Sequence, residues 1–279
     1  MASPAPLFTI PIPPCTPAHP GGSVVCTEPQ SGIYLLTFSS PPDNRLTPSF
    51  CGAMLAALDA VEFGGRPPGV VVTTSAIPKF YSNGLDLGLA RDMGDPFWEG
   101  SLWPLFRRLL TYPMPTVALL NGHAFAGGLM LAMHHDYRVF NPSRGFLCLN
   151  ELDFGAPLKP AMSGIFRVKL GGGAAYRSLV LEAKRFGGPE ALAAGIVDVL
   201  GGLPEAVALV EGRELRKKGA TGVYGLMKAE MYKEAVDLLD SHAREEERER
   251  KLFEAEDARK EKGQKAVDEW KKSGGKSKL

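Results

Sequence analysis

The sequence predicts an α/β fold that ends in a long helical region. Two short apolar runs, VVVTTS at 70–75 and TVALL at 116–120, have the length of strands that are buried on both faces. Helical patterns follow these runs, and after Pro160 the pattern is helical almost to the end of the chain. Strands and helices that alternate and then give way to helices indicate an α/β core with a C-terminal helical appendage.

Composition restricts the classes of protein to consider. The chain has 279 residues, with 44% hydrophobic and 23% charged side chains and a net charge of +1, which is typical of one globular core plus an appendage. The small net charge gives no reason to expect nucleic acid binding. No apolar run reaches the eighteen residues of a membrane span, so we expect no transmembrane helix.

Cysteine and histidine spacing indicates neither disulfides nor a metal site. The four cysteines show no CxxC pair, and we expect free thiols; they are Cys15, Cys26, Cys51 and Cys148. His134 and His135 are adjacent, so on a helix they point about 100° apart and cannot easily share a metal. We expect a structural or surface role for both.

The N-terminal region combines a proline-rich extension with the first core elements. Residues 1–22 carry seven prolines in the first twenty positions, and we expect an extension without regular structure, extended on the surface or disordered. Residues 23–27 and 33–39 are typical of two strands joined by a turn. Thr47 and Pro48 mark the start of a helix that ends at Gly64.

The middle of the chain continues the alternation. A helical stretch is predicted around residues 97–111, and a second helix runs from about Gly127 to His134. YRVF and FLCL, which follow it, have the pattern of strands. We predict a core over residues 23–200 and a helical appendage over residues 201–272.

The C-terminal region is highly charged. Residues 244–272 hold ten basic and ten acidic side chains, which predicts a solvated helix with i,i+4 pairs such as Glu247–Lys251 and Glu261–Lys265. A coiled coil is the alternative, but the apolar a/d pattern is thin. Residues 273–279 are predicted to be a flexible tail.

The last three residues, Ser277, Lys278 and Leu279, form the C-terminal tripeptide that addresses proteins to peroxisomes. A Gly-Gly-Lys spacer before them would expose the tripeptide to the import receptor. We therefore expect the peroxisomal matrix as the location and the import receptor as a partner.

Three segments can carry chemistry. KFYSNGLDL at 79–87 and HAFAGG at 123–128 each follow a buried strand and can present backbone amides, the second at a helix start that favours an anion. LNELDFG at 149–155 places Glu151 in an apolar neighbourhood. Either glycine loop alone can be a simple turn, and Glu151 alone can be a surface or helix-start charge. Together they are what oxyanion chemistry at a carbonyl needs.

These segments resemble a known family. PTVALLNGHAFAGGLMLAMHHDYRVF at 115–140 is similar to the signature of the crotonase, or enoyl-CoA hydratase/isomerase, superfamily. KFYSNGLDL resembles the first oxyanion loop of that family, and LNELDFGAPL resembles the segment with its catalytic glutamate. LVLEAKRFGGPEALAAGIVDVL resembles the helical segment that follows the active site. The resemblance covers about residues 30–200.

The resemblance implies a fold, a substrate and an assembly. It implies the crotonase spiral fold of repeated ββα units, and an acyl-CoA thioester whose carbonyl oxygen is held by the N–H groups of Ser82 and Gly127. It also implies a homotrimer or a dimer of trimers built partly through the C-terminal helices, and no cofactor beyond the CoA of the substrate. The positions implied to line the bound substrate are Ser82, Asn83, Gly84, Leu85, Asp86, Gly127, Met130 and Asn150.

Met130 and Glu151 favour one reaction of this family. Family hydratases use two glutamates, and the position of the first is Met130 here, whose thioether cannot exchange protons. Glu151 alone can move a proton from C2 to C4 of a 3-enoyl-CoA through a dienolate. An apolar surround excludes water and should raise the pKa of the Glu151 carboxyl. The sequence therefore predicts a Δ3,Δ2-enoyl-CoA isomerase of fatty acid β-oxidation.

Other readings remain open from the sequence. Another crotonase reaction is possible in the form of a hydratase, a dienoyl-CoA isomerase or an acyl-CoA hydrolase. Dienoyl isomerases carry an extra acid, which Asp153 can supply if residues 151–153 are extended, but not if they are helical. Asn150 can hold the Glu151 carboxylate or pack structurally. A silent member of the family that binds acyl-CoA or RNA is a further alternative, disfavoured by the balanced charge of residues 244–272.

Overall fold

A computed structural model of the chain describes residues 5–274. The chain divides into two compact units, one that ends at Asp240 and one that begins at Ser241. The helices between Leu203 and Asp240 belong to the same unit as the predicted core of residues 23–200.

Within the described residues, the first unit holds two β-sheets. The strands are β1 (Phe8–Ile12), β2 (Gly22–Gln30), β3 (Ile33–Ser39), β4 (Val70–Ser75), β5 (Phe80–Ser82), β6 (Thr116–Leu120), β7 (His123–Phe125), β8 (Tyr137–Phe140), β9 (Leu147–Cys148) and β10 (Val199–Leu200). The large sheet has the order β1-β2-β3-β4-β6-β8-β10, and the small sheet has the order β5-β7-β9. Strands β1, β2 and β3 pair antiparallel, and the other pairings in both sheets are parallel.

Helices connect the strands and make up most of the chain after residue 160. The α-helices of the first unit are α1 (Pro48–Phe63), α2 (Leu87–Met93), α3 (Asp95–Phe97), α4 (Trp103–Thr111), α5 (Gly127–Met133), α6 (Pro160–Leu170), α7 (Ala174–Leu181), α8 (Gly188–Ala193), α9 (Leu203–Gly212), α10 (Leu215–Gly219), α11 (Tyr224–Met231) and α12 (Lys233–Asp240). A π-helical turn spans Trp98–Leu102, and a 3₁₀ turn spans Glu151–Phe154.

The prediction that residues 1–22 lack regular structure is wrong for Phe8–Ile12, which forms β1. This strand pairs antiparallel with β2, and Pro11 lies opposite Ser23. Proline has no N–H to donate, but β1 is an edge strand of the large sheet, where that donor is not needed. The high proline content argued against a strand here, but a strand that contains proline is permitted at the edge of a sheet.

The prediction of the first helix is confirmed. Helix α1 runs from Pro48 to Phe63, and the Thr47 hydroxyl accepts a hydrogen bond from the Phe50 N–H at 3.2 Å. This bond satisfies one of the donors left free at a helix start, and the proline beside it lacks the N–H that would otherwise be unpaired. The helix ends at Gly64 as expected.

Three consecutive ββα units carry the core, as the resemblance implied. Each unit adds one strand to the large sheet, then one to the small sheet, and then turns into a helix. The units are β4-β5-α2, β6-β7-α5 and β8-β9 followed by the 3₁₀ turn and α6. The parallel small sheet was not foreseen, because β5 and β7 have three residues each and contain the sequence of the predicted loops.

Both faces of the large sheet are buried, which explains its continuous apolar strands. Val70 and Val72 of β4 pack in one apolar cluster, which includes residues of α9. Val71 packs in the other cluster, with residues of α1, α4, α5 and α6. All six residues of β4 and all five of β6 are buried, as predicted for central parallel strands.

The second unit contains α13 (His242–Lys272). Most of its side chains are exposed, and the predicted pair of Glu247 and Lys251 is present at 3.1 Å. The prediction of a solvated charged helix is confirmed. Ser277, Lys278 and Leu279 lie outside the described residues. Over residues 5–274, no helix has both the length and the apolar character that a membrane crossing requires.

Candidate active site

The three segments singled out in the sequence meet at one edge of the small sheet. Ser82 ends β5, Gly127 follows β7 after one residue, and Glu151 follows β9 after two. Strand β7 lies between β5 and β9, and all three run parallel. Their carboxyl ends therefore lie side by side, which is where ligands bind in open α/β sheets.

The backbone of Asp43–Leu46 holds the loop after β5 residue by residue. The Asn83 N–H donates to the Asp43 carbonyl at 3.0 Å, and the Leu46 N–H donates to the Gly84 carbonyl at 2.9 Å. The side chains add three bonds, from Ser82 Oγ to the Asn44 carbonyl, from Asn83 Nδ2 to Asp43 Oδ2 and from an Arg45 guanidinium nitrogen to the Leu85 carbonyl. The Ser82 hydroxyl is therefore engaged in holding the loop. The backbone N–H of Ser82 is the group that remains to bind a ligand.

Asp86 ends this loop and starts the next helix. Its Oδ1 accepts from the Leu89 N–H at 3.0 Å and caps α2, and its Oδ2 lies 2.8 Å from His19 Nε2. The bond from the Leu89 N–H, followed by that to His19, lowers the pKa of the Asp86 carboxyl. The carboxylate is ionised and engaged with the protein, so the backbone of Asp86 is the part that remains for a substrate.

The loops after β5 and β7 touch where glycine leaves room. A Cβ on Gly84, whose φ is +81°, would lie 3.0 Å from the Gly127 nitrogen and 3.1 Å from Ala126 Cβ. A Cβ on Gly127 would lie 3.0 Å from Leu85 Cδ2. Backbone therefore packs on backbone, and the two predicted amide-presenting segments form one surface.

Ala126 has a strained backbone at the start of α5. Its φ of 49° and ψ of −124° lie outside the regions that residues with a Cβ favour. The Ala126 N–H donates to the Cys148 carbonyl at 2.9 Å, which ties the start of α5 to β9. Gly127 is the first residue of α5, where an N–H has no acceptor within the helix and the helix dipole favours negative charge.

Helix α5 is apolar on all sides because it is fully enclosed. Met130 is 1% exposed, and every other residue of the helix is buried as well. His134 and His135, which follow it, are both fully buried, so the structural role predicted for them is confirmed and the surface alternative is not. Each ring Nδ1 lies close to the carbonyl four residues earlier, at 2.7 Å and 2.9 Å, and His135 Nε2 also lies 2.9 Å from Thr73 Oγ1.

Glu151 is a buried carboxyl group without a partner for one of its oxygens. The residue is 8% exposed, and within residues 5–274 its Oε2 is buried with no hydrogen-bond partner. Desolvation by burial raises the pKa of the Glu151 carboxyl to about 7. This confirms the predicted direction of the pKa shift, and it gives the group a proton affinity suited to proton transfer near neutral pH.

The 3₁₀ turn separates Glu151 from the other acid on the same segment. Asp153 is exposed, while Glu151 at the start of the turn is buried. Successive residues of a 3₁₀ helix are about 120° apart, so residues two apart point to different sides. Asp153 therefore does not supply a second buried carboxylate beside Glu151, as the dienoyl isomerase alternative required.

Asn150 precedes the turn as its N-cap residue and makes no capping hydrogen bond through its side chain. Its Oδ1 is instead 3.9 Å from the Cys148 Sγ, a weak contact within its own segment. The contact favours local packing of the side chain over the role of holding the Glu151 carboxylate.

Asn44 is a residue of this region that the sequence analysis missed. It is fully buried with a φ of 54°, and its Nδ2 donates to Ser75 Oγ at 2.6 Å and to the Tyr81 carbonyl at 3.1 Å. Its Oδ1 accepts from the Ser40 N–H at 2.7 Å. Asn44 thus joins β4 to β5 and orients Ser82. The available signal was an asparagine in a proline-rich turn, since asparagine tolerates positive φ and bonds to nearby backbone.

The cysteines are free thiols, as predicted. Cys148, the one in this region, is buried, and burial raises the pKa of its thiol to about 12, so it is not a nucleophile. Within residues 5–274, no group of three or more histidine, cysteine, aspartate or glutamate side chains is placed to hold a metal ion.

Comparison with known proteins fits this arrangement. The family model described as enoyl-CoA hydratase/isomerase matches residues 28–274. The chain belongs to the enoyl-CoA hydratase/isomerase family. The match extends well beyond the range of about 30–200 that the resemblance covers, and it includes all helices from α1 to α13.

Two plant relatives and a human structure are similar to this member of the family. Enoyl-CoA delta isomerase 3 of Arabidopsis thaliana is 34% identical over 77% of this chain and 95% of its own length. Enoyl-CoA delta isomerase 2, peroxisomal, of the same plant is 34% identical over 79% of this chain and 97% of its own. The crystal structure of human mitochondrial delta3-delta2-enoyl-CoA isomerase has a TM-score of 0.68 at 26% identity and covers 90% of this chain and 98% of its own.

Proposed function

We propose that this protein is a Δ3,Δ2-enoyl-CoA isomerase, which moves the double bond of a 3-enoyl-CoA to give the trans-2-enoyl-CoA. The observation that carries the proposal is the state of Glu151, a buried carboxyl with a pKa near 7 and an unpaired oxygen at the edge of the small sheet. The names of the similar plant and human proteins support the same reaction.

The proposed reaction needs one base that also acts as the acid. The ionised Glu151 carboxylate takes a proton from C2, which is acidic because it lies between the thioester and the double bond. The C2–H electrons form a C1=C2 bond, and the π electrons of the carbonyl move to the thioester oxygen, which carries the negative charge of the dienolate. Protonated Glu151 then delivers the same proton to C4. When C4 is protonated, the C3=C4 electrons form the C4–H bond, the C1=C2 electrons form the C2=C3 bond, and the carbonyl is restored. The trans-2-enoyl thioester forms with no net gain or loss of protons.

The dienolate oxygen needs donors that stand ready before the reaction. We assign this role to the N–H groups of Ser82 and Gly127. The contacts between their two loops at Gly84 support the assignment, and so does the position of Gly127 at the start of α5. The loop residues Asn83 to Asp86, together with Met130 and Asn150, are proposed to line the acyl-CoA. No cofactor beyond the CoA of the substrate is needed for this reaction.

Met130 favours isomerisation over hydration. Addition of water to a 2-enoyl-CoA needs a second carboxylate to orient the water, and the fully enclosed helix α5 offers a thioether at the position of that carboxylate. A dry environment also protects the dienolate from protonation by solvent. Hydratase activity is therefore expected to be far weaker than isomerase activity.

We further propose that the enzyme works in the peroxisomal matrix as a homotrimer or a dimer of trimers. The C-terminal Ser277-Lys278-Leu279 and the peroxisomal name of one relative support the location. An oligomer is supported by α11, whose Leu226, Met227 and Met231 are 72%, 68% and 64% exposed. Light scattering on the purified protein measures the oligomer, and a fluorescent fusion with and without the last three residues tests the location.

The test of the reaction is a parallel assay of the purified protein with a 3-enoyl-CoA, a 2-enoyl-CoA and a 3,5-dienoyl-CoA. We expect the 3-enoyl substrate to be turned over fastest and to give the trans-2-enoyl product. Faster conversion of the 2-enoyl-CoA to a 3-hydroxyacyl-CoA would overturn the proposal in favour of a hydratase. Faster conversion of the dienoyl substrate would overturn it in favour of a dienoyl isomerase.

A further inference from the structure

The connection between β1 and β2 reaches the candidate site through one side chain. His19 lies on this connection, 67 residues before Asp86, and its Nε2 is 2.8 Å from Asp86 Oδ2. The His19 side chain is 7% exposed and the Asp86 side chain is 31% exposed, so the contact is buried on the side of the imidazole and partly open on the side of the carboxylate. Because the Asp86 carboxylate is an acceptor only, Nε2 carries the proton and donates it.

The connection is built so that His19 has little freedom. The Cys15 N–H donates to the His19 carbonyl at 3.0 Å, and the His19 N–H donates to the Thr16 carbonyl at 2.9 Å. These bonds close a tight turn over Pro17, whose ring also restricts the backbone. The turn is anchored by β1, which pairs with β2 along its whole length. A rigid hairpin therefore presents the imidazole to Asp86.

Asp86 is the last residue of the loop that follows β5, and it is supported differently from the rest of that loop. Residues 82–85 take their hydrogen bonds from Asp43–Leu46, as described above. At Asp86 the support changes, because one carboxylate oxygen caps α2 and the other accepts from His19. The imidazole thus fixes the point where the loop turns into the helix.

We propose that His19 is a positioning residue of the acyl-CoA site, which acts through Asp86 to hold the loop of residues 83–86 in place. This inference rests on the proposed function, because that function makes the loop of residues 83–86 a substrate-binding segment. It gives the proline-rich N-terminal segment a role, since the hairpin becomes part of the support of the site.

The kinetic consequence differs from that of a general loss of stability. Ser82 is tied to Asn44, and Glu151 lies in the 3₁₀ turn that follows a different strand, β9, so loss of the His19 imidazole leaves the reacting groups in place. The effect therefore falls on substrate binding. Replacing His19 with alanine should raise KM for the 3-enoyl-CoA about tenfold and change kcat less than about twofold, since one hydrogen bond to a charged group is lost.

The test combines hydrogen–deuterium exchange with kinetics on the full-length protein. Three variants are compared with the wild type: His19→Ala, His19→Gln and Thr16→Val. Glutamine can place an amide nitrogen near the position of Nε2, so it should restore the contact. The Thr16 hydroxyl is buried with no partner within residues 5–274, so Thr16→Val changes the same turn without touching Asp86.

The expected result is an exchange change confined to the site. The peptide over residues 80–90 should exchange about tenfold faster in His19→Ala, and at close to the wild-type rate in His19→Gln and Thr16→Val. Unchanged exchange in His19→Ala would overturn the proposal. So would faster exchange spread over the whole chain, failure of glutamine to restore the rate, or the same change in Thr16→Val.

The exchange experiment is made without ligand, so it stands apart from the reaction. If the wild type failed to isomerise any 3-enoyl-CoA, the proposed function would be wrong while the exchange rates still decided the role of His19. If the wild type isomerised and KM of His19→Ala equalled the wild-type value, the positioning role would be wrong and the function would stand.

Discussion

The first turn of α5 lies directly on the backbone of Ser82. A Cβ on Gly128 would be 2.9 Å from Ser82 Cβ and 2.8 Å from its carbonyl carbon. Atoms of real side chains do not approach so closely, so the absence of a side chain at Gly128 sets how near the two loops come. The proposed donors of the site thus depend on a residue that need not touch the substrate.

Replacing Gly128 with alanine should separate these loops. The added methyl group meets backbone that cannot rotate away, so we expect the free energy of unfolding to fall by about 2 kcal/mol. We expect kcat/KM for a 3-enoyl-CoA to fall at least about 100-fold, because the Ser82 and Gly127 N–H groups would no longer meet one oxygen. Urea unfolding and steady-state kinetics measure the two effects.

Gly52 provides the matched control for this change. It also lies in a helix, α1, but a Cβ there would meet no atom within 4 Å. Gly52→Ala should therefore raise the free energy of unfolding by about 0.5–1 kcal/mol through helix propensity and leave kcat/KM unchanged. Equal activity in the two variants would contradict the importance of contact between α5 and Ser82.

Ala126 offers a second test of the same junction. Its positive φ costs on the order of 1 kcal/mol in a residue with a Cβ, so Ala126→Gly should make the protein more stable by about that amount. The same change frees the backbone that aims the Gly127 N–H, so we expect kcat to fall about threefold to tenfold. Thermal unfolding measures the change in stability, and steady-state kinetics measures the change in kcat. A variant that is both less stable and more active would contradict the proposed strain at Ala126.

Much of this arrangement could be predicted because its causes are local. The buried strands β4 and β6 are apolar along their whole length, and Thr47 with Pro48 marks the start of α1. The site role of Glu151 could be predicted as well, because the resemblance assigned it and the segment around it contains apolar residues. The raised pKa of its carboxyl followed from the expected burial.

The features that escaped prediction depend on contacts between distant segments. Strands β5 and β7 are three residues long and form only because they pair with each other and with β9. Asn44 and His19 act on residues that lie 38 and 67 positions further along the chain. The sequence around Asn44 and His19 does not indicate which distant residues they contact. Strand β1 escaped because proline content is a poor guide at a sheet edge.

Replacement of Glu151 with glutamine should abolish the isomerase reaction and leave the fold intact. The amide cannot accept the C2 proton, so we expect kcat to fall by at least about 1,000-fold. Asp153→Asn is the matched control, because that carboxylate is exposed on the same 3₁₀ turn and should retain nearly full activity. Full activity in Glu151→Gln would sink the mechanism, and a large loss in Asp153→Asn would revive the dienoyl isomerase alternative.

The rate should follow the ionisation of Glu151. The carboxylate form takes the C2 proton, so kcat/KM should be low in acid, rise through a midpoint near pH 7 and level off above it, as the pKa of about 7 requires. A pH profile of isomerisation from about pH 3.5 to about pH 9 checks this, with unfolding followed at each pH. A midpoint near 4.5, the ordinary value for glutamate, would show that the carboxyl is hydrated in the working enzyme.

The same buried carboxyl should make the protein less stable as pH rises. The pKa of Glu151 is about 7 in the folded chain and about 4.5 in an exposed glutamate, so the folded state binds the proton more tightly. Its contribution to stability is fully present below pH 4.5 and is lost as pH rises through 7. Glutamine is never charged and escapes that loss. Glu151→Gln should therefore exceed the wild type in free energy of unfolding by on the order of 3 kcal/mol at pH 8.

The comparison across pH separates this effect from simple repacking. At pH 5 most of the folded wild type already holds its proton, so the two proteins should differ by much less than at pH 8. Urea unfolding of wild type, Glu151→Gln and Asp153→Asn at both pH values measures the difference, with Asp153→Asn expected to show no such trend. An advantage of Glu151→Gln that is the same at both pH values would come from packing, and would contradict a buried charge as its cause. A pH-dependent advantage would mean that the carboxylate on which the proposed reaction depends is held in place at the expense of stability.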